Sequence, residues 1–420
     1  MKKTLYLCLL TLLVFSCKKE DNLIVKEGAN DLSNLATAEA YLLPSFFETG
    51  SYARQIPAYL RMAGLRQQPA RNEVAALGRV LFYDKNLSRD RSVACASCHR
   101  QDRAFADAVA FSDGIEGQHS LRNSMALANV ASLSAHYSPL KGVVPPFLWD
   151  NRASSVADLS RMAFTNEHEM GMTMPQVVEQ VKNQVYYPYI WSQAYGDTEI
   201  TEAKVLEAIS EFVGTIGSSN AQLDQALASA QQSFDMPNDV KIDTAIVIRQ
   251  LYYSGSTLFD TTITITKTVT GLNGLSASQN EGREIFIANC TKCHSPIRPF
   301  QEVFAACNGL DMNYKDAGMA SSTGRAEDAG VFKSPSLRNI ALTAPYMHDG
   351  RFKSLHEVVD FYSTGIKPHP NLHPLLRQPD GSSTRLNLST GQKNDLVAFL
   401  KTLTDLDVAK DTRLSNPFRQ

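Results

Sequence analysis

The sequence predicts a mainly α chain in two similar halves, with a small β-containing insertion between them. Three observations carry that expectation. Apolar residues recur at helical spacing, as at Val205, Ile209, Phe212, Val213 and Ile216 within 201–216. A Gly-Arg-x-x-Phe stretch occurs twice, at 78–82 and 282–286, and each copy precedes a Cys-x-x-Cys-His motif across a different spacer. Residues 262–270 set Thr alternately against Ile, Lys and Val, which predicts a strand or hairpin.

The chain opens with Lys2 and Lys3 ahead of an apolar run at 5–15, the pattern of an export signal. A membrane-spanning helix takes about 20 apolar residues, so this run is too short to be one. Leu13-Val14-Phe15-Ser16-Cys17 resembles a lipoprotein cleavage box. Residues 1–17 then read as a lipoprotein signal peptide, with a lipid on Cys17 holding the chain to a membrane. That places the protein in the cell envelope, periplasmic or surface-exposed. An ordinary signal with an incidental cysteine is the alternative.

Residues 18–60 read as a tether, mildly amphipathic over 36–47. The first half, 61–230, begins with a lead-in helix around 75–82 and includes the 201–216 helix. The insertion occupies 231–275. The second half, 276–410, repeats the lead-in helix at 280–286 and closes with a helix over 391–404. Leu396, Val397, Phe399, Leu400 and Leu403 form the buried stripe of that last helix, which is expected to cross the lead-in helix. With 41 basic and 43 acidic residues the net charge is −2, which does not suit a nucleic-acid binder.

The chemistry lies in Cys95-Ala96-Ser97-Cys98-His99 and Cys290-Thr291-Lys292-Cys293-His294. This is the attachment pattern of c-type haem: two thiols for thioether bonds and a histidine for the iron. A zinc or disulfide site is the plainer alternative, but zinc needs a second ligand pair and each motif stands alone. Two covalently bound haem c groups are therefore expected, with His99 and His294 as iron ligands. Of the seven cysteines, four serve these motifs, Cys8 and Cys17 lie in the leader, and Cys307 is left as a free thiol.

The segments LGRVLFYDKNLSRDRSVACASCH, LRNSMALANV, FLWDNRA, EMGM, GREIFIANCTKCH and SPSLRNIALTAPYMHDGRFKSLHEVVDFYSTG together resemble the bacterial di-haem cytochrome c peroxidase family, which includes the MauG-type enzymes. The resemblance covers roughly 70–225 and 275–405. It implies two cytochrome-c-like domains, a first haem that meets peroxide and a second that relays electrons. It casts Glu169 as the carboxylate over the first haem and Trp149 as the electronic link between the two. Many members carry a displaceable histidine where Ile115 stands here, and His119 is out of register, so a five-coordinate or water-bound first haem is implied. Leu159 stands where the family often has a glutamine. Tyr362, fourteen residues after His348, occupies the place of a ligating methionine in electron-transfer members and is the expected sixth ligand of the second haem. Met347 is the runner-up, followed by His356, His369 and His373. The family also implies a Ca²⁺ ion, held by Asn123 and the backbone oxygens of Thr343 and Pro345.

The expected activity is reduction of hydrogen peroxide to water with electrons from a small donor protein, a cytochrome c or cupredoxin. Two rivals stand beside it: a MauG-type oxidase modifying Trp or Tyr side chains of a partner protein, and a non-enzymatic di-haem electron carrier. A homodimer is compatible with the likeness.

Overall fold

The structure, a computed structural model, describes residues 29–53, 70–130, 147–232, 246–254, 257–265, 271–294 and 305–419. The leader, Cys17 and residues 18–28 of the tether lie outside them. Within the stretch read as a tether, helix α1 (Ala29–Tyr41) and the residues after it join the first core, where Ala38, Leu42, Phe46 and Tyr52 are buried.

The first half is built from α2 (Asn72–Tyr83), α3 (Val156–Thr165), α4 (Met174–Asn183), α5 (Tyr187–Tyr195) and α6 (Glu202–Thr215). Helix α6 begins where the Thr201 hydroxyl accepts the Lys204 N–H, a standard N-cap. Its Val205, Ile209, Phe212 and Val213 are buried, as their spacing predicts. Helix α2 crosses α6 at Gly78, where an added Cβ would sit 1.9 Å from the Ala208 carbonyl oxygen. The Phe82 and Phe212 rings meet beside that crossing at 5.2 Å.

The second half repeats the device. Helix α8 (Ala277–Asn289) starts at a Ser276/Gln279 capping box, and α10 (Thr390–Lys401) at a Ser389/Gln392 one. They cross at Gly282, where a Cβ would lie 1.9 Å from the Asp395 oxygen. Phe286 and Phe399 pack there at 5.2 Å. Leu396, Val397, Phe399, Leu400 and Leu403 are all buried in this second core. Helix α7 (Gln222–Gln232) precedes the insertion yet places Leu223 and Ala226 in the same core. Helix α9 (Leu355–Asp360) completes the half.

The insertion holds an antiparallel hairpin, β1 (Ile246–Ser254) with β2 (Thr257–Ile265), Ile246 opposite Ile265 and Ser254 opposite Thr257. The alternation at 262–270 thus marked the end of the second strand. Its residues 266–270 lie outside the described ones.

The last residues return to the first half. Arg79 Nε donates to the Ser415 carbonyl at 2.6 Å and the Tyr83 hydroxyl to that of Leu414 at 2.7 Å. The Leu43 N–H donates to the Pro417 oxygen at 2.8 Å, and Val408 and Leu414 are buried in the first core. The two halves also meet directly. Arg122 grips Asp316 through two hydrogen bonds of 2.6 and 2.8 Å, and Arg338 grips Asp224 through two of 2.8 and 2.7 Å.

Candidate functional site

Each Cys-x-x-Cys-His motif forms one helical turn. The His99 N–H donates to the Cys95 oxygen at 2.9 Å, and that of His294 to the Cys290 oxygen at 2.8 Å. The histidine rings are held alike. His99 Nδ1 lies 2.9 Å from the Phe105 carbonyl and His294 Nδ1 3.0 Å from that of Pro335. A proton on Nδ1 given to a carbonyl leaves Nε2 with its lone pair, the arrangement a metal-bound imidazole takes. Burial lowers the pKa of both rings, which favours the neutral, ligating form.

Cys95, Cys98, Cys290 and Cys293 form no disulfide. Both motifs open onto a cavity of about 1230 Å³ lined largely by apolar side chains. Ordinary small-molecule sites run to roughly 300–1,000 Å³, so this space exceeds a single ligand's needs. Among the described residues no three His, Cys, Asp or Glu side chains gather as a bare metal ion would require. A macrocycle carrying its own iron ligands needs only what each motif offers, so the donor sets fit haem c.

Around the first motif, α3 delivers Leu159, Met162 and Ala163 to the cavity wall. The chain then turns so that Glu169 reaches the cavity too, its Oε1 accepting from Asn166 Nδ2 at 2.8 Å. Burial pushes the Glu169 carboxyl above its ordinary value, against the opposing pull of the Asn166 bond and of Arg152 and His168. Ile115 is fully buried, and its N–H donates to the Glu169 oxygen at 3.2 Å. It therefore braces the loop that carries the acid. His119 is exposed and sits 3.0 Å from Asp113, a surface pairing. His168 does not line the cavity and lies 3.8 Å from Glu167.

Trp149 lines the cavity between the halves. Its Nε1 donates to the Asn123 oxygen at 2.8 Å, and its own carbonyl accepts from the Lys333 N–H at 2.7 Å. The Asn123 N–H in turn donates to the His348 oxygen at 2.7 Å. The Asn123 amide nitrogen donates to the Val109 and Ala110 oxygens at 3.0 and 3.4 Å, which leaves Oδ1 for any cation. Thr343 and Pro345 line the same cavity.

Around the second motif, Tyr362 stands on a π-helical turn (Phe361–Gly365) that continues α9, a feature that often marks functional positions. Asn308 Nδ2 donates to the Tyr362 hydroxyl at 3.3 Å and approaches the Met347 sulfur at 4.0 Å. Both candidate ligands therefore reach one place on the wall. Burial pushes the Tyr362 phenol up to about 12. His356, His369 and His373 do not line the cavity. The first bonds Asn394, and the other two accept backbone N–H groups at Nδ1. Cys307 is buried, its sulfur 3.5 Å from His369 Nδ1 and 3.7 Å from the Tyr314 hydroxyl.

Sequence reasoning missed several residues of this site. Asn308 and Asn166 each hold a candidate group and carry no motif. Lys333 lies deep in the wall, its ammonium 5.5 Å from the Phe147 ring, and burial lowers its pKa to about 8. Arg122 ties Asp316 to Asp150, 2.6 Å away, which Arg152 also grips. Its place beside Asn123 in the LRNSMALANV segment was the signal available.

Comparison with known proteins agrees with this construction. The family model described as di-haem cytochrome c peroxidase matches residues 72–232. The methylamine utilization protein MauG of Methylophilus methylotrophus is 25% identical over 341 residues, covering 80% of this chain and 83% of that protein. The cytochrome-c peroxidase IdrP2 of Denitromonas iodatirespirans is 28% identical over 365 residues, covering 79% and 82%. Among solved structures, a MauG-like protein associated with microbial copper homeostasis superposes with a TM-score of 0.63 at 24% identity, covering 88% of this chain and 99% of that one. With its paired Cys-x-x-Cys-His motifs on one cavity and a mainly helical fold, the chain matches the di-haem cytochrome c peroxidase family over residues 72–232 and is similar to MauG proteins over most of its length.

Proposed function

We propose that this protein reduces hydrogen peroxide to water, taking two electrons and two protons from outside for each peroxide. The observation that carries the reading is a half-buried carboxyl, Glu169, held by Asn166 on the cavity wall that also bears His99. When bound, the haem irons supply the redox chemistry and the open coordination site for peroxide. The residues do the rest. His99 offers Nε2 to the first iron, with its ring fixed by the Phe105 carbonyl. Glu169 takes the proton from the inner peroxide oxygen and delivers it to the outer one, as general acid–base catalysis of O–O cleavage needs. Leu159 and Met162 keep that volume apolar. Trp149, hydrogen-bonded to both halves, carries electrons between the haems.

Tyr362 would hold the second haem iron in this reading, from its place on the cavity wall. As a phenolate it is a hard anion that favours oxidised iron and lowers the potential. Asn308 steadies its oxygen. A small cytochrome c or cupredoxin supplies electrons, a lipid on Cys17 holds the protein at a membrane of the cell envelope, and Ca²⁺ rests on Asn123, Thr343 and Pro345. A second reading, oxidation of Trp or Tyr on a partner protein, draws on Tyr362 and on the MauG relatives.

Absorption and low-temperature EPR spectra of the ferric holoprotein, before and after stoichiometric peroxide, test the proposal. One high-spin and one low-spin haem, both altered by peroxide, are expected, and Tyr362→Phe should change only the low-spin signal. Two low-spin haems indifferent to peroxide, even after one-electron reduction, would leave the electron carrier as the better account.

A further inference from the structure

Away from the cavity, the first half buries a second redox-competent group. Asp84 is 2% exposed and its Oδ2 accepts from two phenols, Tyr186 and Tyr187, each at 2.8 Å. Its Oδ1 accepts the Asn86 N–H at 2.9 Å and Asn86 Nδ2 at 3.0 Å, which is all that capping the turn Lys85–Leu87 requires. No Lys, Arg or His is ion-paired with Asp84 among the described residues. Burying a carboxyl group costs free energy, and apolar side chains would fill the same space more cheaply. The two phenols on one oxygen are therefore more than the fold needs.

The rings continue the pattern. Tyr187 and Tyr186 lie 4.9 Å apart and Tyr186 and Tyr41 5.3 Å apart, with Tyr41 47% exposed on α1. At the inner end Tyr187 is fully buried, in the same core cluster that Cys95 packs against. Cys95 is one of the attachment points of the first haem, so the aromatic series runs from that attachment point to solvent.

We propose that Tyr187, Tyr186 and Tyr41 form a chain that drains oxidising equivalents from the first haem to the surface, with Asp84 as the shared proton acceptor. The inference rests on the peroxidase reading for the origin of those equivalents. Tyr187 gives one electron to the oxidised haem centre, which is reduced by one, and passes its phenolic proton to Asp84 Oδ2. Tyr186 then reduces the Tyr187 radical. The proton on Asp84 returns to Tyr187, and the Tyr186 proton replaces it on the same oxygen. Tyr41 reduces the Tyr186 radical, which recovers its proton from Asp84, and the Tyr41 proton leaves to water. A soluble one-electron reductant, a thiol or an enediol, restores Tyr41. Two passages discharge one peroxide turnover when the donor protein is absent.

The test uses the holoprotein with ring-deuterated tyrosine, mixed with stoichiometric peroxide without donor and freeze-quenched for EPR. Wild type should show a tyrosyl radical that soluble reductant quenches. Tyr187→Phe, which keeps the ring packing, should lose the signal and prolong the oxidised-haem spectrum. Tyr41→Phe should retain a radical that soluble reductant quenches poorly. The haem absorption change reports separately on the peroxidase reading. A ruthenium photo-oxidant on Ala40→Cys tests the chain without peroxide: flash oxidation should convert ferrous first haem to ferric in wild type, and Tyr187→Phe should lose that fast phase. An unchanged radical signal and an unchanged photochemical phase in Tyr187→Phe would overturn the proposal.

Discussion

The two halves share one scaffold and differ in what else they bring to the cavity. In each, a glycine lets the lead-in helix touch the backbone of a later helix, a Phe pair fills the crossing, and a backbone carbonyl holds the histidine Nδ1. Elsewhere on the cavity wall, the first half presents Glu169 held by Asn166, the second a tyrosine and a methionine around Asn308. The Cys-x-x-Cys-His side of the cavity is thus repeated, and the rest of its wall has diverged. Function sits on the variable wall, as is usual when one fold hosts several activities.

The largest effects should come from breaking the shared part. Gly78→Ala and Gly282→Ala each drive a Cβ into a backbone oxygen 1.9 Å away, which no side-chain rotation relieves. Each should cost about 3 kcal/mol or more and impair haem retention in its own half, read by thermal melts and haem quantitation. Tolerance of one but not the other would show that the halves are not equivalent scaffolds. Next, Glu169→Gln should slow the reaction of the first haem with peroxide by about 10²–10⁴-fold in stopped-flow, leaving the second haem's EPR signal as it was. Tyr362→Phe should alter that second signal and leave peroxide binding at the first haem intact, whereas Met347→Leu should alter neither. The smallest effect is on pH. The carboxylate form of Glu169 is the one that accepts a proton, and burial raises its pKa, so the peroxide rate should rise with pH through a midpoint above the ordinary carboxylate range. Asn166→Ala removes a bond that favours the charged form, so it should move that midpoint upward.

What was legible in the sequence was local. The spacing of Val205, Ile209 and Phe212, the capped starts of the helices and the paired Cys-x-x-Cys-His motifs are all written within one or two turns of chain. Glu169, Trp149 and Tyr362 came from likeness to a family, and the structure brings all three to one cavity. What escaped depends on distant partners. Arg79, read only as half of a Gly-Arg pair, bonds Ser415, 336 positions away, whereas its counterpart Arg283 pairs with its neighbour Glu284. Asn308 gains its role only because a π turn brings Tyr362 to it. The first hairpin strand has no clean alternation, since Leu251, Tyr252 and Tyr253 run consecutively.

The returning tail has a consequence for biosynthesis. The bonds from Leu43, Arg79 and Tyr83 to residues 412–417 cannot form until the last part of the chain has been made. The first half, which leaves the ribosome first, is therefore the last to be closed. Cys95 and Cys98 therefore lie in a half whose packing is completed only by the last residues of the chain, across the seam at Leu42 and Phe418.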